Sequence, residues 1–146
     1  MRVLVDANVL ISIMLSPRGV PGMILDRAIS GSFQVLISER TIEEVLDSWR
    51  RKPYLTQRVD RDRAEGFVNA IRTSYATIPV PAPPITRYTR DPKDDYLIAH
   101  AIAEQVDVLV SGDRDLLALD GTFPFRILTP AAFVQVLEDD DAAGPS

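Results

Sequence analysis

Arg2-Val3-Leu4-Val5-Asp6-Ala7-Asn8-Val9-Leu10 is the stretch on which the fold turns. Val3, Leu4 and Val5 form a short apolar run with no polar alternation, the pattern of a strand covered on both faces. The run predicts a strand over Arg2 to Ala7 and sets Asp6 at its carboxyl end. In open parallel sheets ligands bind beyond that edge.

Comparable runs lie at Phe33 to Ile37, Val106 to Val110 and Phe125 to Leu128. Helical patterns separate them: Gly22 to Ser30, Glu39 to Arg51, Asp60 to Tyr75, Lys93 to Gln105 and finally Pro130 to Leu137. Strands alternating with helices imply an α/β architecture around a parallel sheet. Pro79 to Pro84 contains four prolines, which suit a surface connection between two halves of one domain. Residues 138–146, Glu138 and three aspartates followed by Ala-Ala-Gly-Pro-Ser, have little to bury. They are expected to form a disordered acidic tail after a globular unit of residues 1–137.

Composition narrows the chemistry. The 146 residues fit one domain, and 46% hydrophobic content supports a continuous core. The absence of cysteine excludes disulfides, thiolate nucleophiles and Cys-ligated zinc. His100, the only histidine, falls away from the apolar stripe of its helix and is expected at the surface or in a groove. Val9 to Leu15 is broken by Ser12 and is far shorter than the roughly 18 residues of a membrane span. Asp6 interrupts the first apolar run too early for a secretory signal, so the expected location is cytoplasmic. A net charge of −5 argues against a broad basic surface for nucleic acid. Any such contact is expected to be local or metal-assisted.

Acidic residues fall at revealing places. Val108-Leu109-Val110 runs into Ser111-Gly112-Asp113, so a second strand end delivers a carboxylate to the edge that holds Asp6. Asp113 also suits the N-cap of a short helix over Arg114 to Leu119, a role compatible with a site. In Asp91-Pro92-Lys93-Asp94-Asp95, Asp91 can cap a helix, Pro92 suits its first position, and Asp94 favours its positive end while standing as a secondary site candidate. Asp95 aligns with Ile98, Ala99 and Ile102, the stripe expected to face the core, where a carboxylate needs a cation or protons. Glu43 and Glu44 share a helix with the stripe Ile42, Val45, Leu46 and Trp49. The helical wheel sets Glu43 nearer that stripe, so periodicity does not select Glu44. Clustered carboxylates raise one another's pKa unless a multivalent cation offsets the repulsion, and an all-carboxylate set suits Mg²⁺ or Mn²⁺. Such ions promote phosphodiester cleavage without histidine or cysteine.

Four segments in order, Val5 to Leu10, Ser38 to Trp49, Asp94-Asp95-Tyr96-Leu97-Ile98-Ala99 and Val110 to Leu117, resemble the PIN-domain family. The resemblance implies a PIN-like three-layer α/β/α sandwich around a central, mostly parallel sheet of four to five strands. Within the family the chain looks like the VapC-like ribonucleases, toxins of bacterial toxin–antitoxin pairs that cut RNA with Mg²⁺ or Mn²⁺. An RNA substrate, an antitoxin protein and a homodimer are then the implied partners. Carried over by motif, Asp6, Glu44, Asp95 and Asp113 would be the catalytic metal ligands, Glu44 because Val45 and Leu46 follow it. Asn8 would orient Asp6, and Ser111 would offer a hydroxyl near the metal. Glu43 stays open as an alternative to Glu44, and Asp115 as an alternative to Asp113. RNA must approach an acidic pocket, so cations should flank it, with Arg50, Arg51 and Lys52 or Arg87 and Arg90 nearest in the chain. Two other readings compete. A haloacid-dehalogenase-like phosphatase expects a second acid where Asn8 stands and a Gly-Thr that is missing; a non-catalytic PIN module would bind RNA or protein without cutting.

Overall fold

Alternate side chains of β1 (Arg2–Val5) leave the strand in opposite directions, Val3 and Val5 into one apolar cluster and Leu4 into another. All three are fully buried, which is why the strand reads as an unbroken apolar run. The computed structural model describes residues 1–80 and 84–143. After β1 come α1 (Ala7–Leu15), α2 (Val20–Ile29), β2 (Gln34–Ser38), α3 (Glu39–Arg51), α4 (Pro53–Arg58), α5 (Arg61–Ser74) and β3 (Ala76–Ile78). The second half holds α6 (Pro92–Ala103), β4 (Val108–Val110), α7 (Arg114–Leu117), β5 (Arg126–Leu128) and α8 (Pro130–Ala142).

The five strands are all parallel in the order β3-β2-β1-β4-β5. Leu4 pairs in register with Leu36 and with Leu109, and these leucines form a row on one face. α6 and α7 cover that face with Tyr96, Leu97, Ile98, Ala101 and Leu116. The opposite face buries Val3, Val5, Val35 and Val108 under α1, α2, α3, α5 and α8. The layers therefore form an α/β/α sandwich. The chain leaves β1 toward β2 and β3, then returns to its other side for β4 and β5, so the crevice between β1 and β4 is a topological switch point.

Several local expectations change. Val9 to Leu15 belongs to α1, whose Val9, Leu10, Ile13 and Met14 are buried. Asp6 caps this helix by accepting from Ala7 N–H at 2.6 Å. The chain turns by 100° between α1 and α2, and no single helix among the described residues is long and apolar enough to cross a membrane. At that turn a Cβ on Gly22 would stand 2.1 Å from the carbonyl oxygen of Pro17, so only glycine fits. β3 is an edge strand of three residues, two of them exposed, and so carries little apolar signal. α4, of six residues, is also short and buries Leu55. Residues 138–142 belong to α8 rather than to a disordered tail: Leu137 is buried beneath the last turns, and Asp141 pairs with Arg27 of α2. Residues 81–83 of the proline-rich connection and 144–146 of the tail lie outside the described residues.

His100 is buried, not at the surface. α6 hides Asp95, Tyr96, Leu97, Ile98, His100 and Ala101, a face wider than one helical stripe. The His100 Nε2 lies 2.8 Å from Ser38 Oγ, and its ring stands edge-on to Tyr96 with centroids 5.9 Å apart. Burial lowers its pKa below the ordinary 6.5; Glu104 opposes this and Arg40 reinforces it.

An unfolded chain therefore takes up this proton near pH ~6.5, whereas the folded chain resists it until lower pH. The stabilising contribution of neutral His100 is present above that value and lost as the pH falls. Thermal melts from about pH 7 to about pH 5 should show wild-type protein losing stability relative to His100→Gln. A difference between the two that stays constant over this range would contradict the assignment.

Candidate metal centre

The ladder between β1 and β4 continues one step past the strand, because Asp6 N–H donates to the Val110 carbonyl at 3.0 Å. This fixes the Asp6 backbone beside Ser111. The fully buried Ser111 hydroxyl donates to Asp6 Oδ2 at 2.7 Å and accepts from Asp113 N–H at 3.0 Å. Asp113 in turn caps α7 by accepting from Asp115 N–H at 2.8 Å. Among the described residues no hydrogen bond joins Asn8 to Asp6; the Asn8 Oδ1 accepts from Gly112 N–H at 3.3 Å and pins the loop that carries Asp113. The partner that orients Asp6 is Ser111.

A cleft of about 500 Å³ opens over these strand ends, and Asp6, Asn8, Glu43, Glu44, Asp94 and Asp113 all line it. Both glutamates of α3 reach the cleft, Glu44 half-buried and Glu43 exposed. α3 has a second buried flank, where Thr41 lies three residues before Glu44 and faces α6. The Tyr96 hydroxyl donates to Glu44 Oε2 at 3.1 Å and lies 3.0 Å from Thr41 Oγ1. Arg40 stacks over the Tyr96 ring, its Cζ 4.5 Å from the centroid, and brings its Nε to 3.9 Å from Glu44 Oε1.

Burial and mutual repulsion dominate the electrostatics. Asp94 is pushed up to about 7, first by burial and then by the charges of Asp113, Asp6, Asp91 and Glu44. Burial also raises Asp6, against the Ser111 and Ala7 donors, with Asp113 adding to the rise. Glu44 rises by burial and by the charge of Asp6, against the Tyr96 hydrogen bond and the cations Arg40 and Lys93. Asp6, Glu44, Asp94 and Asp113 thus act electrostatically as one cluster.

Asp95 is not among them. It is 2% exposed and does not line the cleft. Its Oδ1 accepts from the backbone N–H groups of Tyr88 and Thr89 at 2.9 and 2.7 Å and from Thr89 Oγ1 at 2.9 Å. Its Oδ2 lies 3.1 Å from Arg87 Nε, without the alignment of a hydrogen bond. Burial pulls the Asp95 pKa up, but these donors and the Arg87 charge outweigh it and hold the carboxyl below its ordinary value. Asp95 is buried as expected, although Ile102 of the stripe it was aligned with is exposed and Ala99 half-buried, and its charge is met by the 87–89 segment. The neighbouring Asp94, read from sequence as a dipole residue, is the acid that faces the cleft.

The remaining candidates separate by position. Asp115 is exposed and lines a different cleft with Tyr88, Thr89 and Arg90, so Asp113 is the acid of that pair at the centre. Arg51 and Lys52 line the acidic cleft, whereas Arg50 pairs with Asp47 and Arg87 with Asp95. Arg40 and Lys93 also line it, and sequence reading missed both. Arg40 could have been found at the i−4 position to Glu44, and Lys93 inside the acidic run that opens α6.

The donor set suits a divalent cation. Every candidate ligand is a carboxylate oxygen, the set preferred by Mg²⁺ or Mn²⁺. Among the described residues Asp6, Asp94 and Asp113 have no cation within ion-pair distance, and Glu44 has only Arg40. No three acidic or histidine side chains among the described residues already stand in the arrangement of a formed coordination shell. The fit therefore lies in the chemistry and uncompensated charge of the donors.

A PIN-domain family model matches residues 2–115. The uncharacterised protein MJ1680 of Methanocaldococcus jannaschii is 25% identical over 150 residues, covering 94% of this chain and 92% of its own length. Among solved structures, VapBC2 from Rickettsia felis bound to a DNA fragment from their promoter aligns with a TM-score of 0.60 at 14% identity. That alignment covers 88% of this chain and 97% of the other. PAE2754 from Pyrobaculum aerophilum aligns with a TM-score of 0.62 at 22% identity, over 94% of this chain and 90% of its own. The two structural likenesses concern the fold.

Neighbouring aspartates should respond oppositely to substitution. Asp95→Ala leaves the buried amides of Tyr88 and Thr89 without an acceptor and should destabilise the protein by about 2–5 kcal/mol. Asp94→Asn removes a repelled carboxylate and should leave the melting temperature unchanged or higher without metal. Chemical denaturation of both variants in a chelating buffer checks this, and the reverse order would contradict the placement.

Proposed function

This chain belongs to the PIN-domain family, and from that premise we propose that it is an endoribonuclease dependent on Mg²⁺ or Mn²⁺. The observation that carries the reading is the acidic cleft at the carboxyl ends of β1 and β4, where Asp6, Glu44, Asp94 and Asp113 converge and, among the described residues, only Glu44 has a cation within ion-pair distance. These four would hold the cation, with Asp94 in the third place that the family resemblance gave to Asp95. A cation bound there offsets the charge of the phosphodiester and lowers the pKa of water.

The protein's own groups have defined tasks. Ser111 holds Oδ2 of Asp6 and Tyr96 holds Oε2 of Glu44, which limits both carboxylates to few orientations. Arg40, Lys52 and Lys93 on the cleft wall attract the phosphate backbone that the acids would repel. Hydrolysis forms a bond from water oxygen to phosphorus and breaks the bond from phosphorus to O3′, which takes up a proton as it leaves. The carboxylates remain free of covalent linkage throughout.

The finer reading is a VapC-like toxin, acting in the cytoplasm as a homodimer and restrained by an antitoxin protein. It is supported by the sequence resemblance and by the likeness of fold to VapBC2.

Purified protein should cut single-stranded RNA with Mg²⁺ or Mn²⁺ and lose that activity in EDTA. Asp6→Asn and Asp94→Asn should each lower the rate by roughly 100-fold or more. Full activity in Asp94→Asn would overturn this ligand set, and inert wild-type protein with either metal on RNA of varied sequence would overturn the nuclease reading.

A further inference from the structure

The segment from Arg50 to Arg63 carries six cations, Arg50, Arg51, Lys52, Arg58, Arg61 and Arg63, against only Asp60 and Asp62, in a chain whose net charge is −5. Positive charge is therefore concentrated here. α4 sits at the centre of this segment and has two unlike faces. Leu55 and the following Val59 are fully buried, and the Trp49 indole N–H donates to the Val59 carbonyl at 2.8 Å, which anchors the inner face.

The outer face has no such role. Tyr54 is 52% exposed, and Arg58, four residues on and also exposed, shares its side of the helix. Lys52, immediately before α4, lines the acidic cleft itself, so the outer face begins at the edge of the candidate metal centre. Among the described residues neither Lys52 nor Arg58 has a carboxylate within ion-pair distance, whereas Arg50 and Arg61 do. An exposed aromatic ring between two unpaired cations is the combination that holds single-stranded nucleic acid, the ring stacking on a base and the cations meeting phosphates.

We propose that the outer face of α4 is a docking lip for single-stranded RNA, with a base stacked on Tyr54 and the flanking phosphates held by Lys52 and Arg58. The lip leads the strand into the cleft, and it rests on the nuclease reading given above. A local lip also meets the demand set by net charge, since an acidic protein can hold RNA only where cations are gathered.

The test is anisotropy of a labelled mixed-sequence single-stranded RNA in the Asp6→Asn background with Mg²⁺, so that binding is read without turnover. Tyr54→Ala should weaken binding by roughly 5- to 150-fold, the fold-change that about 1–3 kcal/mol of base stacking represents, while Tyr54→Phe retains it. Lys52→Gln with Arg58→Gln should flatten the slope of log affinity against log salt by about 0.7 for each lost contact. The lip is overturned if these variants bind like their parent, or if the parent fails to bind. It is overturned as an RNA site if poly-glutamate displaces the RNA as well as unlabelled RNA does, which would mark a docking face for an acidic protein segment. Wild-type cleavage of the same RNA, measured in parallel, decides the nuclease reading independently.

Discussion

One buried hydroxyl ties the site together. Ser111 Oγ donates to Asp6 and accepts from the amide of Asp113, so a single atom joins the carboxyl ends of β1 and β4. The bond depends on the two strands being adjacent and parallel, which the register of Val5 with Val110 ensures. It also depends on Ser111 being dry, since water would compete for both partners. Asp6 is thereby placed directly after β1, and the short loop that carries Asp113 is tied to the strand ends by Ser111 and Asn8. Glu44 joins them from the middle of α3 and Asp94 from the first turn of α6.

This arrangement costs the fold stability. Four carboxylates share one cleft, and burial, with their mutual repulsion added, raises the pKa of Asp6, Glu44 and Asp94. Asp95 shows how the same chain treats a buried acid meant for structure: three donors and an arginine meet it, and its pKa falls. Adjacent residues of identical chemistry thus have opposite energetics. Charge left unmet where partners could have been supplied points to a ligand that brings its own positive charge.

The parallel sheet and the two strand-end acids were legible because period and strand termini are local properties of sequence, whereas the sandwich followed from the resemblance. The identity of the third acid was not. Helical spacing places Asp95 inward, but whether an inward carboxylate meets metal or protein donors depends on Tyr88 and Thr89, which approach from outside the helix. Glu44 escaped the wheel because α3 has a second neighbour in Tyr96, and a single apolar stripe does not report two packing partners. His100 was misplaced for the same reason, since α6 is buried around much of its circumference. α4 and β3 are too short for periodicity to register.

The central claim is that Asp6, Glu44, Asp94 and Asp113 form a divalent-cation site in which Asp94, not Asp95, is a ligand. Thermal unfolding of wild-type protein and of Asp94→Asn with and without Mn²⁺ tests it without any substrate. At about one hundred times Kd, Mn²⁺ should stabilise wild-type protein by about 2.7 kcal/mol, a rise of roughly 5–10 °C in melting temperature, and leave Asp94→Asn almost unmoved. An equal rise in both proteins, or none in the wild type, would contradict it.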